Sequence, residues 1–548
     1  MTTTANASED VLSFSVSHIH TSTLPEVKNK MHGDAPPASV ALKKEENGEV
    51  EVHPGGIGLQ PQEVYDRQLQ PWAAAIRRRL IRNLQWESEV LAAMQNKVRK
   101  PFLDAYFVNT SSLGTHTFFM VLLPAFCFFG YHEITRGLIF VLAVGIYLSS
   151  CMKDSICAPR PFAPPVHRLT ISNHHKEYGF PSTHTVNSVS IALFFWTIVY
   201  RWSKTPVAES VSAASLAQNA TDFVTDAAPQ MVISTTGYWI WVVILVLYAF
   251  SIVYGRLYTA MHSFTDCAVG TALGVATWVL YLYYAEPLDT WLKNSGWIVP
   301  AVVVPFCLMC VHYHPEPVDD CPCFEDAIAF MSVVMGEFLT RWFMSQYGFD
   351  HTFFVTVMMG KPFGTAVEMW RWWSTATLKM LVGVAAIFAW RIFAKFLLHR
   401  ILPPLYRMLS HLFTLPHRRY YTPATDYRGV PPEKGLRALP SVLDLPGMVE
   451  LEVDGVDGVS TAPSRRVDAD GRAIKLRAGK GGRSEKGNGA GLGIGLEELG
   501  GKGGGVEPVR HYDADVLTKV FVYAGIGFIA SGGMPIFFEL VGWGMRAR

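Results

Sequence analysis

Long apolar runs alternate with shorter polar connections through most of the chain. Each run approaches the roughly 20 residues that a helix needs to cross the hydrocarbon core of a bilayer. The clear runs lie at 113–130, 137–151, 186–202, 238–254, 267–284 and 297–311, and weaker ones at 327–343, 378–398 and 516–543. This pattern predicts an all-α, multi-pass transmembrane helical bundle with about eight or nine spans.

The polar and charged positions outside these runs divide the chain into segments. We expect a disordered N-terminal tail over 1–60, a basic amphipathic segment lying on the membrane over 61–112, a core of spans over 113–320 and additional spans over 321–400. A polar, Gly-rich flexible insert over 401–515 would precede a C-terminal transmembrane helix over 516–548. The amphipathic segment sets Trp72, Ile76, Leu80, Leu84 and Trp86 among Arg77, Arg78, Arg79, Arg82, Lys97, Arg99 and Lys100. An ordinary solvated helix is the alternative for this segment.

Composition supports a membrane protein. Charged residues make up 17% of the chain, below the roughly 25% of soluble domains, and apolar residues make up 50%. The net charge of +1 and the lack of a basic stripe argue against a nucleic-acid partner. The eight cysteines show neither a disulfide framework nor a zinc-ligand spacing. Cys321 and Cys323, in a Cys-Pro-Cys, are read as a structural turn, with redox or metal roles as alternatives.

The first candidate chemical cluster ends the second predicted span. Lys153 and Arg160 are seven positions apart, so a helix would place both cations on nearly one face, where they could hold one anion. Pro159 and Pro161 would loosen the helix there. A pair of basic side chains reaching to the membrane surface is the alternative.

The second cluster, Pro181-Ser182-Thr183-His184, precedes the third predicted span. These residues can begin a helix whose N–H groups and hydroxyls face an anion, with His184 placed to donate a proton. A helix cap followed by a hydrogen-bonded structural histidine is the alternative.

The third cluster lies between the fourth and fifth predicted spans and contains Arg256, His262 and Asp266. On a helix, a carboxylate four residues after His262 could accept from one ring nitrogen and leave the other with a free lone pair. A metal site is the rival interpretation, but no recognised zinc spacing is present. Counting spans puts all three clusters at one face of the membrane.

Order and spacing of these clusters resemble the three-part signature of the type 2 lipid phosphate phosphatase superfamily, which also includes vanadium haloperoxidases and glucose-6-phosphatase. Two positions depart from the common pattern: Thr183 stands where many members have Gly, and Gly255 where many have Ser. The resemblance implies phosphate transfer to a histidine without a metal or cofactor. The residues 113–320 would then be a phosphatase core.

A closer similarity, over roughly 71–400, is to the long-chain-base-phosphate phosphatases, also called sphingosine 1-phosphate phosphatases. It rests on residues 96–107, on Glu177-Tyr178 before the second cluster, on 256–262 and on 314–326; Thr183 is ordinary in this subgroup. It implies an endoplasmic reticulum enzyme acting on dihydrosphingosine, phytosphingosine or sphingosine 1-phosphate. A phosphatase for phosphatidate or for polyprenyl or dolichyl pyrophosphate remains the alternative, and a membrane transporter or scramblase is the alternative outside enzymes.

The resemblance also assigns roles within the site. His262 would be the nucleophile, Asp266 would orient it, and His184 would be the general acid and base. The phosphate of the lipid substrate would be bound by Lys153, Arg160, Ser182, Thr183 and Arg256. His174, His175 and Glu177 could touch the substrate amine, with a polar loop as the alternative. The resemblance implies a lumenal site, whereas basic residues before the first span indicate a cytosolic one. Asn219 lies in a loop on the side of the membrane opposite the site, so its glycosylation would exclude a lumenal site.

Overall fold

The fold is described from a computed structural model, which covers residues 56–111, 116–169, 177–205, 232–349, 352–427, 430 and 511–545. The predicted N-terminal tail, His174, His175, Asn219 and most of the predicted insert lie outside the described residues. Within them the chain is a helical bundle with one two-stranded parallel sheet. The predicted all-α class is confirmed.

Three helices form the segment before the first span: α1 (Gln62–Gln68), α2 (Pro71–Val98) and α3 (Pro101–Ser111). Proline at the first position of α2 favours helix initiation there, because its missing N–H would have had no partner within the helix. Leu84 is buried, while Trp72 and Trp86 are 57% and 63% exposed. These exposed aromatic side chains fit a helix that contacts lipid.

Arg77 corrects the expected basic face of α2. Its side chain is buried, donates to the backbone carbonyls of Cys157 and Gly58, and lies over the ring of Tyr65 at 3.5 Å. Two carbonyl acceptors and an aromatic ring against its face offset much of the cost of burying this guanidinium, although its Nε has no partner among the described residues. Arg77 therefore links α1 and α2 to the end of the second predicted span.

Each of the nine predicted apolar runs overlaps a helix of the described residues. The helices of the first six runs are α4 (His116–Phe128), α5 (His132–Ile156), α6 (Thr183–Lys204), α7 (Thr235–Tyr258), α8 (Phe264–Asn294) and α9 (Ile298–His312). The later ones are α10 (Cys323–Gln346), α11 (Ala366–Ser410), α12 (Asp513–Phe528) with its π-helical continuation Ile529–Gly533, and α13 (Met534–Leu540).

Six of the described helical segments are long and apolar enough to cross a membrane: His132–Ile156, Thr235–Tyr258, Phe264–Asn294, Cys323–Gln346, Ala366–Ser410 and Asp513–Leu540. The helices α4 and α9 are shorter, with 13 and 15 residues. The helix α6 is long but carries buried polar side chains in its first half, among them Asn187, Ser188 and Ser190. The chain is thus a multi-pass membrane protein in which α6 is enclosed by other helices.

The C-terminal part differs from prediction at its boundary. The polar insert was expected from residue 401, but α11 continues to Ser410 through Pro403 and Pro404. Leu402 and Pro403 are buried, so packing holds this turn in place despite the lost backbone hydrogen bonds. Beyond it, strand β1 (Tyr421–Thr422) pairs with β2 (His511–Tyr512).

Small residues allow α10 and α12 to pack closely. A Cβ on Gly336 would lie 2.0 Å from the Ala524 carbonyl oxygen, and one on Gly527 would lie 2.6 Å from that of Val333. Such approaches are the usual means by which membrane helices gain packing energy. At the start of α10, Cys321 and Cys323 form a disulfide, which the cysteine spacing alone did not predict.

Candidate active site

Backbone hydrogen bonds join the three sequence clusters at one end of the bundle. Gly179 N–H donates to the Ala158 carbonyl at 2.8 Å, and Ser182 N–H donates to the Asp266 carbonyl at 3.2 Å. His262 N–H donates to the Arg256 carbonyl at 3.3 Å. The end of α5, the start of α6 and the α7–α8 connection therefore meet, as the span count predicted.

The start of α6 is built by the second cluster. Ser182 is the N-cap, and its Oγ accepts from the Thr185 N–H at 3.4 Å and from the Thr185 hydroxyl at 3.0 Å. Thr183 donates its hydroxyl to Ser149 on α5 at 3.2 Å. His184 is the second residue of α6 and is partly exposed. The helix begins where the sequence predicted, with its N-terminal dipole directed at the cluster.

His262 lies between α7 and α8, which corrects the expected helical pairing with Asp266. Ser263 caps α8, so the helix starts after the histidine. Asp266 accepts from the Ser263 N–H at 2.8 Å, completing a capping box, and its Oδ2 lies 3.7 Å from His262 Nδ1. Asp266 thus contacts the histidine from the first turn of α8 without a direct hydrogen bond.

The tautomer of His262 is set by a backbone group instead. Its Nδ1 lies 2.8 Å from the Gly179 carbonyl, which can only accept, so Nδ1 carries the proton. Nε2 then holds a lone pair and lies 3.3 Å from Arg160 Nη1. The nucleophilic atom expected from the sequence is therefore directed at a cation that could hold a phosphate.

The cations of the first cluster are buried and share a carboxylate. Arg160 donates to the Met261 and Glu177 carbonyls at 2.8 and 3.0 Å. Lys153 Nζ lies 2.8 Å from Glu177 Oε2, and Arg160 Nη2 lies 3.8 Å from the same oxygen. Glu177, noted from the sequence only as a possible contact to the substrate amine, lies within the cation cluster.

Arg256 completes the group of cations. It stands in the last turn of α7 and is buried, and its Nε has no hydrogen-bond partner among the described residues. Together with Lys153 and Arg160, Arg256 affects the protonation of His262. Burial lowers the pKa of His262 well below its usual value, the three cations lower it further, and the hydrogen bond to the Gly179 carbonyl opposes them. The imidazole is accordingly neutral at physiological pH.

Two structural features of the site lacked a sequence signal of their own. Gly179 fits against the first cluster because a Cβ there would lie 2.6 Å from the Pro159 carbonyl oxygen and 2.9 Å from the Arg160 Cα. The next residue back, Tyr178, is held by Asp319, whose Oδ2 accepts from the Tyr178 and Tyr65 hydroxyls at 2.9 and 2.7 Å. Asp319 belongs to the 314–326 segment that supported the family resemblance, which was the one available hint.

Comparison with known proteins agrees with this architecture. Residues 135–288 match the family model of the PAP2 superfamily, a range that contains all eight predicted site residues. The chain belongs to the PAP2 superfamily, and the sequence-based recognition is confirmed.

Individual relatives narrow the comparison. The chain is 29% identical over 452 residues to a dihydrosphingosine 1-phosphate phosphatase of Schizosaccharomyces pombe, covering 82% of this chain and 86% of the relative. It is 30% identical over 336 residues to one of Saccharomyces cerevisiae, covering 61% and 73%. Human sphingosine-1-phosphate phosphatase 2 is 27% identical over 232 residues, covering 42% and 49%. No solved structure gives a significant match.

Proposed function

We propose that the chain is a phosphatase that removes the phosphate from sphingoid long-chain-base 1-phosphates in the endoplasmic reticulum membrane, through a phosphohistidine intermediate. The observation that carries the proposal is the environment of His262 Nε2. Its lone pair faces Arg160 at 3.3 Å, while Nδ1 is held by the Gly179 carbonyl. A neutral imidazole beside a phosphate-binding cation is a prepared nucleophile.

In the first step, Nε2 of His262 attacks phosphorus in line with the bond to the lipid oxygen. The N–P bond forms as the P–O bond to the sphingoid carbon chain breaks, and His184 gives its proton to the departing alkoxide. Nδ1–H stays bonded to the Gly179 carbonyl. The positive charge that develops on the ring is stabilised by Asp266, 3.7 Å away.

Lys153, Arg160 and Arg256 stabilise the equatorial phosphoryl oxygens, where charge is spread in the transition state. These side chains are buried, so their charges are weakly screened. The Ser182 hydroxyl and the N–H groups at the start of α6, including that of Thr183, add donors. In the second step, water attacks phosphorus, His184 accepts its proton, and the N–P bond breaks to release inorganic phosphate.

Glu177 supports a sphingoid substrate in particular. A sphingoid base 1-phosphate carries an ammonium two carbons from its ester oxygen, whereas phosphatidate carries none. The Glu177 carboxylate lies 2.8 Å from Lys153 within the phosphate-binding cations. When Lys153 binds the substrate phosphate, the substrate ammonium can replace Lys153 as the partner of Glu177. The activities for which the yeast and human relatives are named agree with this choice.

The test is phosphate release by membranes containing the full chain, with dihydrosphingosine 1-phosphate and phosphatidate offered in parallel and EDTA present. We expect release from the sphingoid substrate and a loss of at least about 1000-fold in His262→Ala and in His184→Ala. His167→Ala, which changes an exposed histidine of the loop after α5, is the control. Release from phosphatidate alone would replace the sphingoid assignment with the phosphatidate alternative. No release from either substrate would favour transport.

Glu177→Gln tests the recognition of the amine. We expect kcat/KM for dihydrosphingosine 1-phosphate to fall by about tenfold or more relative to that for its N-acetylated form, since a charged hydrogen bond contributes roughly 1.5–3 kcal/mol. Glu316→Gln, at an exposed carboxylate, is the matched control. An equal fall for both substrates would show that Glu177 only positions Lys153.

A further inference from the structure

Outside the catalytic centre, a second group of buried ligand-type side chains lies at the end of α5. One ligand atom from each of Asp154, Cys321 and Cys323 lies within 4.8 Å of the others, and all three residues are buried. Asp154 follows Lys153 in sequence, but its carboxylate faces the 314–323 segment rather than the phosphate-binding cations. No role described above uses these side chains.

The carboxylate of Asp154 is fully buried, and neither of its oxygens has a hydrogen-bond partner among the described residues. Burying a carboxylate without hydrogen bonds is strongly unfavourable unless a cation or a proton compensates it. A bound cation would provide this compensation, so the side chain is the observation that points to a ligand.

His314 lies beside the same carboxylate. Its Nδ1 is 3.6 Å from Asp154 Oδ2 and 3.0 Å from the Pro315 carbonyl, to which it can donate. Its Nε2 is buried and has no partner within the described part of the chain. His314 therefore borders the carboxylate, but its ring nitrogens are not among the ligand atoms that lie within 4.8 Å of one another.

We propose that Asp154 and the reduced pair Cys321 and Cys323 bind a divalent cation of the zinc class, with a water molecule as the fourth ligand. Two thiolates and a carboxylate are ligand types that zinc takes, and the thiolates select it over magnesium or calcium. The ligands come from α5, the loop after α9 and the start of α10.

The two cysteines form a disulfide in this structure, so metal binding requires a reductant of disulfides, either a thiol or a phosphine. Two reductant thiols convert the disulfide to two cysteine thiols and are themselves joined as a disulfide, whereas a phosphine takes the oxygen of one water molecule and becomes its oxide. The metal then displaces the two thiol protons to solvent and takes the sulfur lone pairs. The bound site would carry one net negative charge, and Arg418, close enough to interact electrostatically with Asp154, would balance it.

The metal would fix the frame of the active site rather than take part in phosphate transfer. It would tie the helical turn that carries Lys153 to the segment containing Asp319, which holds Tyr178 beside Gly179. A chelator present during the phosphatase assay therefore does not test metal binding, because a buried thiolate site exchanges its metal slowly. Metal content is the measurement that does.

The experiment measures zinc in the full chain, purified in detergent with a phosphine reductant, by elemental mass spectrometry. We expect about one zinc per chain in the wild type and less than about one fifth of that in Cys321→Ser with Cys323→Ser and in Asp154→Asn. Cys307→Ser, at a buried cysteine outside the cluster, should retain the metal.

Cobalt provides a measurement that needs no variant. Adding Co²⁺ to the reduced, zinc-depleted wild type should produce a thiolate-to-cobalt charge-transfer band and intense visible bands typical of tetrahedral coordination, and oxidation with diamide should abolish both. Reduced wild-type protein that holds no zinc and gives no cobalt spectrum would overturn the proposal. So would zinc retained by the double serine variant.

Discussion

At the scale of single residues, the protonation state of His262 depends on its neighbours from three elements. The Gly179 carbonyl takes the proton on Nδ1, and Lys153, Arg160 and Arg256 make a second proton unfavourable. Each cation therefore helps to keep the imidazole of His262 neutral, in addition to its proposed role in phosphate binding. The effect of a cation on the nucleophile can be separated from its effect on phosphate binding by measuring activity as a function of pH.

Substitution of Lys153 by glutamine should move the acid limb of the pH profile. The lowered pKa of His262 keeps the neutral form as pH falls below 6.5; removing one cation raises that pKa, so activity is lost at a higher pH. We expect the acid limb of kcat/KM to shift upward by about 0.5 unit, besides a lower maximum. The titration of the substrate phosphate is the same for both enzymes and cannot cause a shift.

The control for this profile is Lys97→Gln, which removes an exposed cation from the last turn of α2. Its acid limb should coincide with that of the wild type. An unchanged limb in Lys153→Gln would mean that a group other than His262 limits the rate in acid.

At the scale of elements, the connection into α6 holds the site together. Gly179 lies in contact with Pro159 and Arg160, and its carbonyl is the hydrogen-bond acceptor for His262. Tyr178 beside it is anchored by Asp319. A small shift of this backbone changes the direction of the imidazole, and a misplacement near 1 Å costs about 100-fold in rate.

Gly179→Ala should therefore lower kcat by about 100-fold or more, because its Cβ would overlap the Pro159 carbonyl and push the 178–179 backbone away. Turnover and thermal unfolding of the detergent-solubilised chain are the measurements. Gly533→Ala is the control, since a Cβ there meets nothing within 4 Å. Full activity in Gly179→Ala would show that another group fixes the tautomer of His262.

The sequence was informative about elements wherever one local property decided them. Apolar runs located nine helices, and Ser182 located the start of α6, because hydropathy and capping act over a few residues. It could not locate the Gly179 carbonyl, since every residue has one. Arg77 was placed on the surface because a charge is usually exposed, whereas the distant carbonyls of Gly58 and Cys157 and the ring of Tyr65 make its burial possible.

At the scale of the whole molecule, a small sheet joins the two ends of the long insert just before the C-terminal helices. Tyr421 pairs with His511 and Thr422 with Tyr512, so the two ends of the long insert lie side by side. Asp513 accepts from the Ala424 N–H at 2.7 Å and from the Tyr427 hydroxyl. These contacts join the two ends of the insert directly.

Replacing residues 431–508 by a ten-residue Gly-Ser linker should leave turnover within about twofold and Tm within a few degrees, since loop length enters the closure entropy only logarithmically. Phosphate release and thermal unfolding check this. A deletion extended through 418–512 is the comparison and should inactivate the chain, because it removes Arg418 from the face of Phe324. A large loss in the short deletion would instead assign the insert a functional role.

The Lys153–Glu177 pair also bears on how the enzyme behaves as its reaction proceeds. Inorganic phosphate must displace a tethered carboxylate to regain the cations, and it brings no ammonium to occupy that carboxylate in exchange. The intact substrate pairs its phosphate with the cations and its ammonium with Glu177, whereas released inorganic phosphate pairs only with the cations. Product inhibition by phosphate should accordingly be weak, and turnover would continue in a compartment where free phosphate is abundant.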